Sequence, residues 1–529
     1  MPEAAHRPPD PLLRMRNAHL NGCLRLMSDA RVQPSGDQAP DAVDPHRWWA
    51  LIVIGIAQLM VVLDATIVNV ALPSAQRELH MSDNNRQWVI TAYTLAFGGL
   101  LLLGGRVADL VGRKRTFIIG LIGFAVASGL GGAAGSSGML FGARALQGVF
   151  AALLAPSALS LLSTTFTDPR ERSRAFGVYG AIAGAGAAIG LLMGGVLTEY
   201  LDWRWCLYVN ILFAGVAVLG ALTLLHDRPG HAEARLDLPG AVLGCGGLLA
   251  LVYGVSEAEP RGWGSAMVLG LLGGSALLLA AFVLWQSRAR TPLLPLHIVK
   301  ERNRAGSFLT MGMATLGMFG VFLFLTYYMQ GILGYSPLRT GLAYLPISGA
   351  IILGSTQISA RLLPLVPPRL LMAPGMLLAA AGMAVLTQLD TDSSYVSHLL
   401  PAELLLGLGL GCTFMPVIST ATQGVAAYDS GVTSATVNTA QQVGGSIGTA
   451  LLNTVATSVT DHYVRDHLHD PRMRRTVVRE GVVHGFTTAT WVAVGVMLLG
   501  AVLAAVLVNM RPIRSEPAAP AAPGPAAGS

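Results

Sequence analysis

Fourteen stretches of the chain are apolar for about the length of a bilayer crossing: residues 48–72, 86–105, 116–135, 139–163, 175–198, 205–225, 238–256, 265–286, 305–328, 340–361, 370–389, 399–423, 431–457 and 485–509. A hydrocarbon core takes ~20 residues of helix to cross. A segment exposed to lipid must also satisfy its backbone polar groups internally, so each stretch predicts an α-helix. The pattern as a whole predicts an all-α integral membrane protein with fourteen transmembrane helices. An even number of crossings puts both ends on one side. With the ends in the cytoplasm, the inner loops hold 16 Lys and Arg against 10 outside, the sense in which basic residues are normally distributed. Five of those 10 (Arg465, Arg472, Arg474, Arg475 and Arg479) crowd the last external loop, about 458–484, and narrow the margin.

The flanks differ in composition from the spans. Residues 1–46 are rich in Pro, Asp and Arg and hold no apolar run of signal-peptide length, so a disordered cytoplasmic extension is expected, with Met15 or Met27 as alternative starts. Residues 511–529 end in PAAPAAPGPAAGS, a low-complexity stretch expected to form a disordered cytoplasmic tail.

With 53% apolar and 12% charged residues among 529, a soluble globular protein is excluded. The net charge of +6 does not point to nucleic acid, because the basic residues lie mostly between apolar runs and act as topology signals. Cys23, Cys206, Cys245 and Cys412 are far apart and lack His neighbours at ligand spacing, so neither a disulfide framework nor a metal site is expected. His226, His231, His297, His462, His467, His469 and His484 fall in loops or at helix ends, and G-x-x-x-x-G-K-[ST] does not occur. An enzyme or an ATP-driven pump is therefore not expected, and no catalytic residue is assigned.

The first run carries one acid, Asp64, inside LMVVLDATIVNVALP from Leu59 to Pro73. A carboxylate at such depth costs ~2.5 to 3.5 kcal/mol on insertion scales, and chains keep one mainly where it meets a partner, a cavity or a proton path. The alternative is a protonated acid that hydrogen-bonds a neighbouring helix. Arg144, in the fourth run, is the second intramembrane charge. At 1.5 Å of rise per residue, Asp64 lies roughly 12 Å and Arg144 roughly 8 Å below the outer ends of their helices, depths compatible with a pair. Arg144 would favour the ionised acid and burial the protonated one, so a change in their separation would load or release a proton. Snorkelling of Arg144 to the outer headgroups is the competing reading.

Between the second and third runs the chain reads Gly105-Arg106-Val107-Ala108-Asp109-Leu110-Val111-Gly112-Arg113-Lys114-Arg115. Its glycines permit a tight turn, Asp109 can cap a helix start, and Arg113 and Lys114 can pair with it and anchor at the inner leaflet. The loop resembles motif A of the major facilitator superfamily, departing at Leu110. A worn copy, Ala360 to Arg369, occurs in the second half with Pro364 opposite Asp109. Such a repeat implies two related halves: a six-helix bundle over 47–225, two inserted helices over 226–290 and a second six-helix bundle over 291–510. Four further stretches resemble the fourteen-helix drug:proton antiporters of the EmrB/QacA group: Leu63 to Pro73, Arg144 to Gly148, Trp203-Arg204-Trp205, and Gln330 to Gly341. In the fifth run, Gly177, Gly186, Gly190, Gly194 and Gly195 resemble that family's antiporter motif C, and small residues at this spacing also make a packing seam. Leu191 replaces its proline, and Leu212 replaces the proline usual after Asn210. Without a bending proline, helix 5 is expected to run straighter.

The resemblance implies proton-coupled export of lipophilic small molecules across the plasma membrane, with Asp64 and Arg144 in coupling. Gly105, Asp109, Gly112, Arg113, Lys114, Gly186, Gly190, Gly194 and Gly195 would serve conformational gating. A facilitator or lipid exporter of the same fold with weak coupling is the alternative. Gln58, Asn69, Tyr93, Gln147, Phe322, Tyr327, Tyr328, Gln357, Asn438 and Gln441 are candidates for a substrate cavity, though such residues also form aromatic belts and interhelical hydrogen bonds. With Asp64 as the sole acid in a span interior and Glu403 one turn inside helix 12, a neutral or monocationic substrate is expected. No cofactor is expected beyond the proton gradient, and the partners expected are the substrate and the bilayer, with no nucleic acid and a monomeric chain.

Overall fold

The computed structural model describes residues 46–81, 88–225, 237–467 and 473–510, so both expected disordered ends lie outside the described residues. The helices are α1 (Arg47–Glu78), α2 (Trp88–Val111), α3 (Arg113–Gly132), α4 (Ser137–Thr165), α5 (Pro169–Tyr200), α6 (Trp205–Leu224), α7 (Leu238–Arg261) and α8 (Ala266–Gln286). After a short surface helix, Leu296–Lys300, come α9 (Arg302–Tyr327, continued by a π turn) and a broken α10 made of Pro337–Ala343, Leu345–Leu353, the π turn Gly354–Ser359 and Ala360–Leu362. Then follow α11 (Arg369–Leu386), α12 (a π turn Tyr395–Leu399 leading into Leu400–Thr422), α13 (Ser430–His467) and α14 (Arg474–Leu507). Local chemistry explains many of the starts. Ser136 accepts from Met139 N at α4, Asp168 from Arg170 N and Glu171 N at α5, and Glu301 from Asn303 N and Arg304 N at α9.

Twelve helices among the described residues are long and apolar enough to cross a membrane. The two others of comparable length are α5, whose apolar stretch is only Ile189–Tyr200, and α13. The physical reason lies in their surroundings. α5 packs on α1, α10 and α12, and α13 packs on α2, α4, α7, α9 and α14. Helices enclosed by protein are selected for Gly, Ser and Thr that let backbones approach, not for apolar side chains that face lipid. The stretch expected to form the last external loop is also corrected: α13 continues to His467 and α14 begins at Arg474, so most of 458–484 is helix.

α1 packs on α5 and α6, α2 on α4, and α3 on α4 and α6; in the second half α9 packs on α13 and α14, and α11 on α12 and α14. These two sets meet where α2 and α4 touch α13, and where α5 touches α10 and α12. α7 lies against α2 and α13 together. It is held to α8 through Asp237, which accepts from Gly240 N, Trp285 Nε1 and Gln286 Nε2. Burial works to raise the Asp237 carboxyl, but those donors outweigh it and hold the group below the usual carboxylate range.

Candidate functional site

Asp64 and Arg144 form a buried ion pair. Arg144 Nη1 lies 2.6 Å from Asp64 Oδ2, and the two side chains are 1% and 0% exposed. Arg144 therefore does not snorkel. Asp64 Oδ1 accepts from Gln147 Nε2 at 3.0 Å and from Asn210 Nδ2 at 2.8 Å. Every contact of Asp64 is thus with a donor, the arrangement a carboxylate requires. Arg144 also donates from Nε to the Val89 carbonyl at 3.1 Å and from Nη1 to Gln147 Oε1 at 3.0 Å, and its guanidinium stands 4.4 Å from the centre of the Tyr93 ring. Gln147 Nε2 donates further to Ser128 Oγ. Five helices, α1, α2, α3, α4 and α6, contribute to this buried polar cluster.

Sequence reasoning placed Gln147 and Tyr93 with the substrate; the structure places both beside the ion pair. It missed Asn210 and Ser128 as members. A lone amide in the otherwise apolar α6 was the available signal for Asn210. Gln58 is tied to Tyr179, whose hydroxyl donates to it at 2.8 Å across α1 and α5. Phe322 stacks on Tyr344, Tyr328 donates to the Asp390 carbonyl, and Asn438 donates to Ser434 O within its own helix. Tyr327 is 59% exposed and Gln357 is exposed. Gln441 is half-buried, and the Asn69 side chain lies outside the described residues. The described members of the expected cavity come from both halves: Gln58, Tyr93 and Gln147 from the first, and Phe322, Tyr327, Tyr328, Gln357, Asn438 and Gln441 from the second.

The α2–α3 turn joins the two halves. Asp109 accepts from Gly431 N at 3.0 Å and Val432 N at 3.2 Å, so it caps the start of α13, more than 300 residues away, where the helix dipole favours an anion. Arg113 reaches Asp109 at 3.8 Å. Lys114 does not pair with Asp109; its Nζ donates to the Leu222 and Leu225 carbonyls at the end of α6. Close approach is built in by glycine, since a Cβ on Gly105 would fall 2.5 Å from Ala435 Cβ and 2.6 Å from the Gly431 oxygen. Gly112 starts α3 at φ 105°, a left-handed conformation that disfavours side chains. Ser160 Oγ and Ser430 Oγ lie 2.6 Å apart, and Arg172 donates to Thr422 Oγ1, at the same end of the bundle.

On α5, Gly186 and Gly190 face Val62 and Thr66 of α1, and Gly177 faces Ala360 and Ser355. Gly194 is buried and its carbonyl accepts from Cys206 Sγ, but a Cβ at Gly195 would meet nothing within 4 Å, so Gly195 is not part of the seam. α5 runs unbroken from Pro169 to Tyr200, with Leu191 inside it.

Glu403 overturns one expectation. The helix containing it begins at the π turn from Tyr395, so the residue lies two turns inside and is 0% exposed. Asp64 is not the sole acid at depth.

Two helical halves meeting across such a seam are an architecture of membrane transporters. The Major Facilitator Superfamily pattern matches residues 54–449, and the chain belongs to that family. It is 58% identical over 485 residues to the puromycin resistance protein pur8 of Streptomyces alboniger, covering 91% of this chain and 95% of that protein. It is 40% identical to the cephamycin export protein CmcT of Amycolatopsis lactamdurans, over 78% of this chain and 85% of that one. It is 33% identical to the tetracenomycin C resistance and export protein of Streptomyces glaucescens, over 86% and 85%. Among solved structures, the human organic anion transporter MFSD10 (TETRAN) superposes with a TM-score of 0.58 at 15% identity, over 87% of this chain and 99% of that one, which speaks to fold alone. The chain is a multi-pass membrane transporter and not an enzyme.

Proposed function

We propose that this protein exports lipophilic small molecules, antibiotics among them, from the cytoplasm across the plasma membrane in exchange for protons, by alternating access. The observation that carries the reading is the buried Asp64–Arg144 pair, set in a chain whose relatives are named for resistance to puromycin and export of cephamycin. A charge pair at bilayer depth is retained where it works. Arg144 has other partners at hand in the Val89 carbonyl, Gln147 Oε1 and the Tyr93 ring. Asp64 can therefore exchange its arginine for a proton without stranding the guanidinium. The reading includes fourteen crossings, with α5 and α13 as the two polar ones, both termini in the cytoplasm, a monomeric chain of the EmrB/QacA group, and no cofactor but the proton gradient. Its test is efflux from everted vesicles of a panel of dyes and antibiotics, puromycin included, with and without a proton gradient. Gradient-dependent efflux of several members supports it, and efflux indifferent to the gradient contradicts it.

In this orientation the α2–α3 turn is cytoplasmic, and Asp109 with Gly431 and Val432 forms the inner gate. Asp109→Asn presents one acceptor and a competing NH2 to two backbone donors. It is expected to cost the closed gate about 1.5 kcal/mol, roughly tenfold in its population. Turnover should slow with substrate affinity little changed; a loss confined to affinity would argue against a gating role. Substrate charge provides another check. Asp64 can offer its single charge to a cation in place of Arg144, whereas Glu403 is enclosed. A second substrate charge would be left uncompensated at a cost of several kcal/mol, so a bis-cationic biocide should leave roughly tenfold more slowly than ethidium, or slower still. Equal rates would mean that Glu403 opens to the substrate as well.

A further inference from the structure

Glu403 lies on α12, wholly enclosed, and its Oε1 has no hydrogen-bond partner. Its other oxygen, Oε2, lies 3.2 Å from the Tyr395 hydroxyl, which also lies 2.7 Å from the Ala343 carbonyl. A carbonyl oxygen can only accept, so the single phenolic hydrogen is committed to Ala343 at the shorter distance. The contact between Tyr395 and Glu403 is then completed when the carboxyl itself carries the hydrogen and donates it to the phenol oxygen. Among the described residues, the titratable groups that face Glu403 are two phenols, Tyr395 from the π turn and Tyr344 from α10. The Tyr344 hydroxyl is engaged with Thr326 of α9. This setting is the reverse of that of Asp64, which has a cation and two amide donors. A bare carboxylate with one shared phenol is strongly disfavoured here, and an enclosed side chain leaves room for a proton but not for an organic cation.

Placement adds a second, independent argument. α4 and α12 each carry a proline inside the helix, Pro156 and Pro416. Arg144 precedes Pro156 by twelve residues and Glu403 precedes Pro416 by thirteen. Transporters built from repeats place working residues at corresponding depths in their halves. Counted from these prolines, Glu403 stands within one residue of the position that Arg144 holds in the first half.

We propose that Glu403 is a second proton-binding acid of the transport cycle, taking up a proton at its carboxylate when the protein opens outward and giving it to water when the protein opens inward. The assignment rests on the proton-coupled reading above and extends it to two sites. No other bond is made or broken. The test is infrared difference spectroscopy of the purified full-length protein at neutral pH, following the C=O stretch of a protonated carboxylic acid. That band is expected in the wild type and in Asp64→Asn, and absent from Glu403→Gln. Tyr395→Phe, which leaves the acid in place, should keep the band but move it to the higher frequency of a carboxyl with no hydrogen-bond acceptor, and it guards against a Glu403→Gln variant that folds poorly. A wild type without the band, or a band unchanged in Glu403→Gln, overturns the proposal. Proton release on adding puromycin, read with a pH dye, should be one proton smaller per bound molecule in Glu403→Gln, and equal release would also overturn it. Unchanged release in Asp64→Asn would count against the coupling role of Asp64 and not against the assignment of the band.

Discussion

Asp64→Asn is expected to reduce gradient-driven export to the level of vesicles that lack the protein, while the variant still reaches the membrane. The amide keeps the size of the carboxylate and can still accept from Arg144, but it cannot take up a proton. The change is locally tolerable because Asn210 Oδ1 is without a partner. A flip of the Asn210 amide would offer that oxygen to the new NH2, which would otherwise face two donors. Arg144 keeps the Val89 carbonyl and Gln147 Oε1. The expected loss is therefore one of coupling and not of folding. Full proton-driven efflux by the variant would remove Asp64 from the mechanism.

Removing the cation instead of the acid should damage the fold. Arg144→Gln leaves the Asp64 carboxylate at 0% exposure with amide donors only. Breaking a buried pair from one side costs about 3–5 kcal/mol, because the remaining charge has neither water nor a counter-charge. The detergent-purified variant should melt well below the wild type. The double variant Asp64→Asn with Arg144→Gln leaves no charge at this site, so it should recover most of that loss while remaining inactive in coupling. A single variant as stable as the wild type would mean that the pair is weakly desolvated, in conflict with its enclosure.

The ion pair was legible in the sequence because a charge inside an apolar run is conspicuous and helical rise alone gives its depth. The partners were less so. Gln147 lies one turn from Arg144, and its side chain turns to Asp64 and Ser128 only because α1 and α3 pack there, which no local pattern records. Asp109 was read as a cap, and it is one, but for a helix in the other half; a bond between residues 109 and 431 leaves no mark in local spacing. Glu403 was misplaced by a boundary. The Tyr395–Leu399 turn follows the polar stretch Asp390–Ser394 and includes Ser397 and His398, yet it is helical, so the acid lies a turn deeper than the apolar run suggests. α13 was truncated for a related reason, because its charged last turns, Asp461 to His467, resemble a loop in composition while continuing the helix.

The most direct measurement of coupling uses purified protein in proteoliposomes loaded with puromycin and a pH dye, with no pH difference imposed at the start. If the protein exchanges substrate for protons, puromycin leaving down its gradient should drive protons in the opposite direction until a pH difference builds up. Asp64→Asn liposomes should show no such movement. Puromycin escaping at the wild-type rate with the internal pH unchanged would contradict the account and leave a facilitator in its place.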